Sequence, residues 1–295
     1  MKINEWKLRA IKALQSSELY RDDEGFWLNS LVEELLQAKD IVNNTESLSD
    51  ELIEILNTEI DALIGGKPLA QIIGYTYFYS YKINVFPNVL IPRPDSEILV
   101  SEVLKLAPHL KSRKAKSNVP LRMLEIGVGS GALSIAIAQE LLREGIDNFE
   151  IQASDISIDA LQAANYNIER HGLSDKIKLV EADLWPEDIL KKDFVPDVIF
   201  SNPPYISNIE LQETDLLDFE PVSALLAEEN GLAIYRRIFN EANTILETDA
   251  FVLVEHGSTQ AEDIRTIAKS SGFKSLGFAN DLADRPRVSK FIYKD

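Results

Sequence analysis

From Leu121 to the end of the chain, short apolar runs alternate with helix-like stretches, and few folds accept that pattern. Leu121–Ile126, Glu150–Ser154, Ile177–Glu181, Asp197–Ser201 and Ala250–Glu255 have the length and apolar content of strands. Ala132–Arg143, Ile158–His171, Leu232–Leu246 and Gln260–Ser271, interspersed with them, carry apolar residues at helical spacing. Strands joined through helices pair in parallel, and a parallel sheet must be covered on both faces. Phe273–Phe278 and Val288–Tyr293 come last with no helix between them, which predicts an antiparallel pair at one sheet edge. The class expected is α/β.

The preceding residues have a different rhythm. Asn4–Leu14 repeats Trp6, Leu8, Ile11 and Leu14 close to helical spacing, and Asn29–Ala38 places Leu31, Val32, Leu35 and Leu36 on one face. Ser49 is placed to cap a helix over Glu51–Ile64, which Gly65-Gly66 ends. No residue set here looks catalytic, so the segment reads as a small all-α accessory domain. Aromatic and β-branched residues crowd Tyr75–Val85, as in a strand or hairpin. The prolines of Ile91-Pro92-Arg93-Pro94 delay the next helix until Asp95 or Ser96 can cap a run through Leu106. The polar stretch Lys111–Pro120 reads as a surface loop.

Composition narrows the chemistry. There is no cysteine, so disulfides, thiolate metal sites and a cysteine nucleophile are excluded. No apolar run approaches membrane-spanning length, and the start has neither a signal-peptide core nor a transit pattern, so a cytoplasmic location is expected. A net charge of −18 opposes nucleic acid at long range and suits a basic protein partner or a cationic cofactor. The basic run Lys111-Ser112-Arg113-Lys114-Ala115-Lys116 reads as a solvated loop.

Two motifs carry chemistry. In Glu125-Ile126-Gly127-Val128-Gly129-Ser130-Gly131, a strand turns through three glycines into a helix, and a backbone without Cβ atoms lets a ligand approach closely. The spacing G-x-G-x-G differs from the dinucleotide fingerprint G-x-G-x-x-G. Asp155 ends the next strand, where an acidic side chain can accept from both ribose hydroxyls. After the third strand, Asp183 is placed to accept from an adenine amino group while the Leu184 N–H bonds a ring nitrogen. Together these features resemble an S-adenosylmethionine-dependent methyltransferase of the Rossmann-like class. Glu125 then becomes a candidate to help hold the cationic methionine end, since a buried cation needs a partner. The second motif is Asn202-Pro203-Pro204-Tyr205. Each proline fixes φ and removes a donor, so the loop presents carbonyl acceptors, one Asn side chain and one ring. Such a set grips a planar amide or amino nitrogen.

The resemblance extends to a family. Pro68-Leu69-Ala70-Gln71-Ile72-Ile73-Gly74, Leu90-Ile91-Pro92-Arg93-Pro94-Asp95-Ser96-Glu97, the glycine turn, the Asn-Pro-Pro-Tyr loop, Phe219-Glu220-Pro221, Glu255-His256-Gly257 and Asp281-Leu282-Ala283-Asp284-Arg285-Pro286-Arg287-Val288 follow one another as in HemK/PrmC-type peptide chain release factor glutamine methyltransferases. The resemblance implies a Rossmann-like class I methyltransferase sheet with an antiparallel C-terminal edge pair, preceded by a small all-α domain. Its domains would be residues 1–80, a helical bundle for substrate recognition; 81–95, a hairpin or linker; and 96–295, the methyltransferase domain. It implies methylation of the glutamine side-chain amide in a Gly-Gly-Gln tripeptide of release factors, with no membrane and no direct nucleic-acid substrate. Gly127, Val128, Gly129, Ser130, Gly131, Asp155, Asp183, Leu184 and Asn202 match cofactor positions. Asn202, Pro203, Pro204 and Tyr205 match the substrate clamp, with catalysis assigned to Asn202, Pro203 and Tyr205. His256 is expected to be structural. Two rivals remain: an amino methyltransferase of adenine or cytosine, and a non-catalytic binding module built on the same fold.

Overall fold

In the computed structural model, the described residues are 1–23, 25–41, 47–114, 119–207, 219–247 and 249–294. They form two compact units, Met1–Tyr75 and Thr76–Asp295.

The first unit contains helices α1 (Ile3–Gln15), α2 (Gly25–Ala38), α3 (Asp50–Ile64) and α4 (Leu69–Ile73). Ser49 caps α3 by accepting from the Leu52 N–H, as its position before the apolar run predicts. Trp6, Leu14, Leu28, Leu35, Leu56 and Leu63 fill a core of its own. The Trp6 indole N–H is satisfied by Asn57 Oδ1 at 2.9 Å.

The second unit, from Thr76, opens within a hairpin of β1 (Tyr75–Phe78) and β2 (Tyr81–Asn84). The expected boundary at residue 80 therefore falls inside this hairpin. The compact units divide after Tyr75, where the helical residues have ended and strand pairing begins. A 3₁₀ turn over Pro94–Ser96 leads into α5 (Glu97–Lys114). The helix runs beyond Leu106, through Pro108, and takes in Lys111–Lys114 of the expected loop. A proline costs one helical hydrogen bond, but Ala107 and Leu110 on either side of it are buried in the core and hold the helix in place. Residues 115–118 of that loop lie outside the described residues.

The remaining elements include β3 (Leu121–Ile126), α6 (Ala132–Arg143), β4 (Phe149–Asp155), α7 (Ile158–Arg170), β5 (Ile177–Glu181), α8 (Glu187–Leu190), β6 (Val198–Ser201), α9 (Ala233–Ile245), β7 (Phe251–Glu255), α10 (Ala261–Ser270), β8 (Phe273–Asn280) and β9 (Pro286–Tyr293), with short helical turns at Val222–Ala224 and Glu228–Gly231 before α9. The sheet order is β5-β4-β3-β6-β7-β9-β8, parallel except for the last two strands, which are antiparallel as expected. Two apolar clusters cover it. One includes α6 residues Ile135, Ala136 and Ile137, the other α9 residues Tyr235, Ile238 and Phe239. From β3 the chain builds outward to β4 and β5, then returns to the other side of β3 with β6. That reversal opens a crevice at the carboxyl ends of β3 and β6, where ligands bind in open α/β sheets.

Candidate functional site

A cavity of about 400 Å³ occupies this crevice, within the usual range for small-molecule sites. Its floor is the glycine turn after β3. The Gly127 and Val128 N–H groups both bond the Ser154 carbonyl, at 2.8 and 2.9 Å, which ties the turn to β4. Gly127 and Gly129 have φ of +77° and +53°, and a Cβ added at either would meet open space. The turn is thus bare backbone facing an empty volume, as a closely approaching ligand requires.

Asp155, at the end of β4, stands in the cavity wall. Its Oδ2 accepts from the Gly129 N–H and its Oδ1 from the Ser157 N–H, both at 2.9 Å. Each carboxylate oxygen retains a further lone pair for a ligand hydroxyl. Ser157, rather than Asp155, caps α7 through the Ala160 N–H. Asp183 and Leu184 also line the cavity. Leu184 has φ +71°, and its carbonyl accepts from Ser154 Oγ at 2.7 Å. Both oxygens of Asp183 are engaged by the Arg237 guanidinium, at 3.1 and 3.0 Å.

On the opposite side, Asn202, Pro203 and Pro204 complete the wall. The register pairs Ile126 with Ser201 on adjacent strands, so Gly127 and Asn202 leave neighbouring strand ends together. Ser201 Oγ donates to the Ile126 carbonyl at 2.7 Å and fixes that junction. The Asn202 amide Nδ2 donates to Ser96 Oγ at 2.9 Å.

Five of the sequence candidates are not in the cavity wall. Glu125 lies beneath the turn, 1% exposed, bonded by Ser134 Oγ. Burial pushes its carboxyl up to about 8, the nearby charge of Asp155 adds to this, and the Ser134 bonds oppose it. A direct contact between Glu125 and a ligand is therefore not built. The Val128 side chain is buried in the core. The buried Ser130 offers its carbonyl to Asn167 Nδ2 at 2.9 Å. Gly131 caps α6 and packs against Ala164, where a Cβ would come within 3.3 Å. Tyr205 turns inward. Its hydroxyl points to Glu255 Oε1 at 3.5 Å, and burial, with the Glu255 charge, pushes its pKa up to about 12. Its carbonyl accepts from Gln260 Nε2 at 3.0 Å, and Ile206 then pairs with Leu226, so the backbone leads the ring away from the cavity. Tyr205, expected to stack on a substrate amide, thus directs its hydroxyl to Glu255 and does not line the cavity.

Sequence reasoning missed Arg237, Ile156 and the segment Asn88–Leu90, all of which reach the wall. Ile156 lines the cavity and is 67% exposed; in the sequence it is only an isoleucine directly after Asp155, and its exposure is a feature of the fold. Arg237 gave no signal, because its partner is distant in the chain. His256 is structural, as expected. It is buried, its Nδ1 lies 2.8 Å from the Gly257 carbonyl and its Nε2 2.8 Å from Ser289 Oγ. Among the described residues no helix is long and apolar enough to cross a membrane, and no cluster of side chains could hold a metal ion.

The Methyltransferase small domain family matches residues 104–248. A release factor glutamine methyltransferase of Rhodopirellula baltica is 38% identical, over 76% of this chain and 73% of that protein. One of Haemophilus influenzae is 33% identical over the full length of both. The N-terminal domain of human METTL16 in complex with SAH shares the fold, with a TM-score of 0.52 at 17% identity, over 95% of this chain and 98% of that one. With an identity of this size over a full-length relative, the chain belongs to the release factor glutamine methyltransferase family.

Proposed function

We propose that this chain transfers a methyl group from S-adenosylmethionine to the side-chain amide nitrogen of the Gly-Gly-Gln glutamine of a release factor. The observation that carries the reading is that Asn202, Pro203 and Pro204 share one cavity with Gly127, Gly129 and Asp155. The cofactor fits this donor set: open space over two left-handed glycines, a carboxylate for ribose hydroxyls, and an apolar rim at Ile156. Gly127, Gly129, Asp155 and Leu184 would hold it, and Asp183 would contribute once its pair with Arg237 yields. When bound, S-adenosylmethionine supplies a strong electrophile, a methyl group on a sulfonium.

The protein's share of the work is positioning and electrostatics. An amide nitrogen is a poor nucleophile because its lone pair is delocalised into the carbonyl. Asn202 Oδ1 and the Pro203 carbonyl would each accept one of its N–H bonds and so aim the lone pair. Both acceptors bind more tightly as positive charge develops on nitrogen, and that difference accelerates the reaction. Glu125 acts at one remove, through Ser134 and the floor of the turn. Tyr205 acts from behind the loop, through Glu255.

The Met1–Tyr75 unit would contribute recognition of the whole protein substrate. A net charge of −18 disfavours nucleic acid as the substrate. The deciding experiment uses labelled S-adenosylmethionine with purified release factor beside tRNA, rRNA and DNA. Label should enter the release factor at glutamine; preferential labelling of any nucleic acid would overturn the reading.

A further inference from the structure

The Asn202 side chain serves as a clamp in one orientation only. With Oδ1 toward the cavity it accepts a substrate N–H; reversed, it sets two N–H donors against another donor. What fixes the orientation lies beneath it. Ser96 ends the 3₁₀ turn, is 3% exposed, and its Oγ accepts from Asn202 Nδ2 at 2.9 Å. Glu255, at the end of β7, is fully buried, and the Ser96 hydroxyl is near enough to favour its charged form. Its Oε2 has no hydrogen-bond partner among the described residues, so the carboxylate keeps an unused acceptor for that hydroxyl. A serine hydroxyl has one proton to give. Given to the Glu255 carboxylate, it leaves the Ser96 oxygen as an acceptor, and Asn202 must turn its NH₂ inward.

We propose that Ser96, backed by Glu255, is a positioning residue that locks the Asn202 amide with its oxygen toward the cavity. The inference rests on reading Asn202 as the substrate clamp.

It has a consequence in pH. Glu255 is faced by Asp95 from the turn, Tyr205 from the loop after β6, Tyr235 from α9 and Arg287 from β9. Arg287 is itself held by Asp95 at 3.1 Å and Asp281 at 3.0 Å. Burial, the largest influence, pushes the Glu255 carboxyl up to about 7, and the Ser96 bond and the Arg287 charge oppose it. A protonated Glu255 donates to Ser96. The Ser96 proton then turns to Asn202, and the amide reverses. Turnover therefore rises as pH increases through the titration of Glu255.

Two measurements on the full chain test this. In the first, the side-chain ¹⁵N–¹H resonances of Asn202, identified by their loss in Asn202→Asp, are followed across neutral pH without substrate. They should shift with pH in the wild type, lose that shift in Ser96→Ala and regain it in Ser96→Thr. In the second, Ser96→Ala should lower kcat roughly three- to tenfold, the worth of one hydrogen bond, with KM and cofactor Kd unchanged. The pH limb should vanish, and Ser96→Thr should restore both. Glu255→Gln, which has no proton to lose near neutrality, should flatten the profile even if Ser96→Ala does not fold. Asn202 resonances that ignore pH in the wild type, or that titrate equally in Ser96→Ala, would overturn the proposal. So would an unaltered pH limb in Glu255→Gln. The resonance measurement needs no turnover, so the two readings fail separately. A wild type that does not methylate release factor refutes the functional reading, while the spectra alone decide whether Ser96 orients Asn202.

Discussion

Asp155 holds the glycine turn as well as facing the ligand, so replacing it should register in two separate measurements. In Asp155→Ala, the Gly129 and Ser157 N–H groups lose their 2.9 Å acceptors. A hydrogen bond to a charged group contributes about 1.5–3 kcal/mol when it cannot be replaced. Here the site borders an open cavity, where water can replace the lost acceptor, so the two bonds together should cost about 1–3 kcal/mol of stability. The ligand loses its ribose acceptor as well, and a further 1.5–3 kcal/mol (about 10- to 150-fold in Kd) should disappear from cofactor binding. Asp155→Asn is the sharper variant. It keeps size and one acceptor oxygen but must aim its NH₂ at one of the two backbone donors, so it should rescue at most part of either loss. Urea unfolding read by tryptophan fluorescence gives the first quantity and calorimetric titration the second. Wild-type Kd in Asp155→Ala would remove this residue from the ribose role. An unchanged unfolding midpoint would refute the argument that its carboxylate ties the turn to the strand.

Four other outcomes follow from the same geometry. Asn202→Ala should reduce kcat on the order of 100-fold, as for loss of one preorganised polar group, with little change in cofactor Kd; near-normal turnover in a labelled-methyl assay would end the clamp mechanism. Gly231 has φ +83°, and a Cβ there would lie 2.1 Å from the Tyr205 carbonyl oxygen, so Gly231→Ala should destabilise by about 2–4 kcal/mol in chemical denaturation. Glu125 is raised from 4.5 to about 8 in the folded protein, so between these values the native state binds the extra proton and stability falls as pH rises; Glu125→Gln should lack that slope in unfolding measured across the range. Removing the Met1–Tyr75 unit should raise KM for whole release factor far more than for a short Gly-Gly-Gln peptide, and equal effects on both would contradict a recognition role.

The sequence made legible whatever is encoded locally. The 3.6-residue and strand-length patterns located β3, α6, β4, α7, β5, β6, α9, β7 and α10 but not the short α8, Ser49 marked its cap, and glycines at two positions of left-handed φ marked the cavity floor. Contacts distant in the chain were not legible. The strand or hairpin read over Tyr75–Val85 is the observed β1–β2 pair, and the left-handed Gly74 ends α4 just before it, whereas the domain boundary placed at residue 80 cuts through that pair. The helix expected to end at Leu106 continues through Pro108, where burial of Ala107 and Leu110 outweighs one lost helical bond. Tyr205 reads as a surface ring because nothing nearby in sequence announces Glu255 or Gln260. Glu125 adjoins the glycines, yet strand alternation sends its side chain beneath them. Arg237 lies off the apolar face of α9 formed by Tyr235, Ile238, Phe239, Ala242 and Ile245, and only tertiary structure brings it to Asp183.

The pairing of Ile126 with Ser201 has an evolutionary consequence. Adjacent strands of any sheet run about 4.8 Å apart, so under the proposed function the pedestal for the donor and the pedestal for the acceptor stand at a separation that backbone hydrogen bonding imposes. Side-chain drift elsewhere cannot widen or narrow it. The reach of the methyl transfer is in that sense a constant of the material. Under that reading, changes in the appended helices and the outer loops would alter which recipient is presented without retuning the span across which the group must pass.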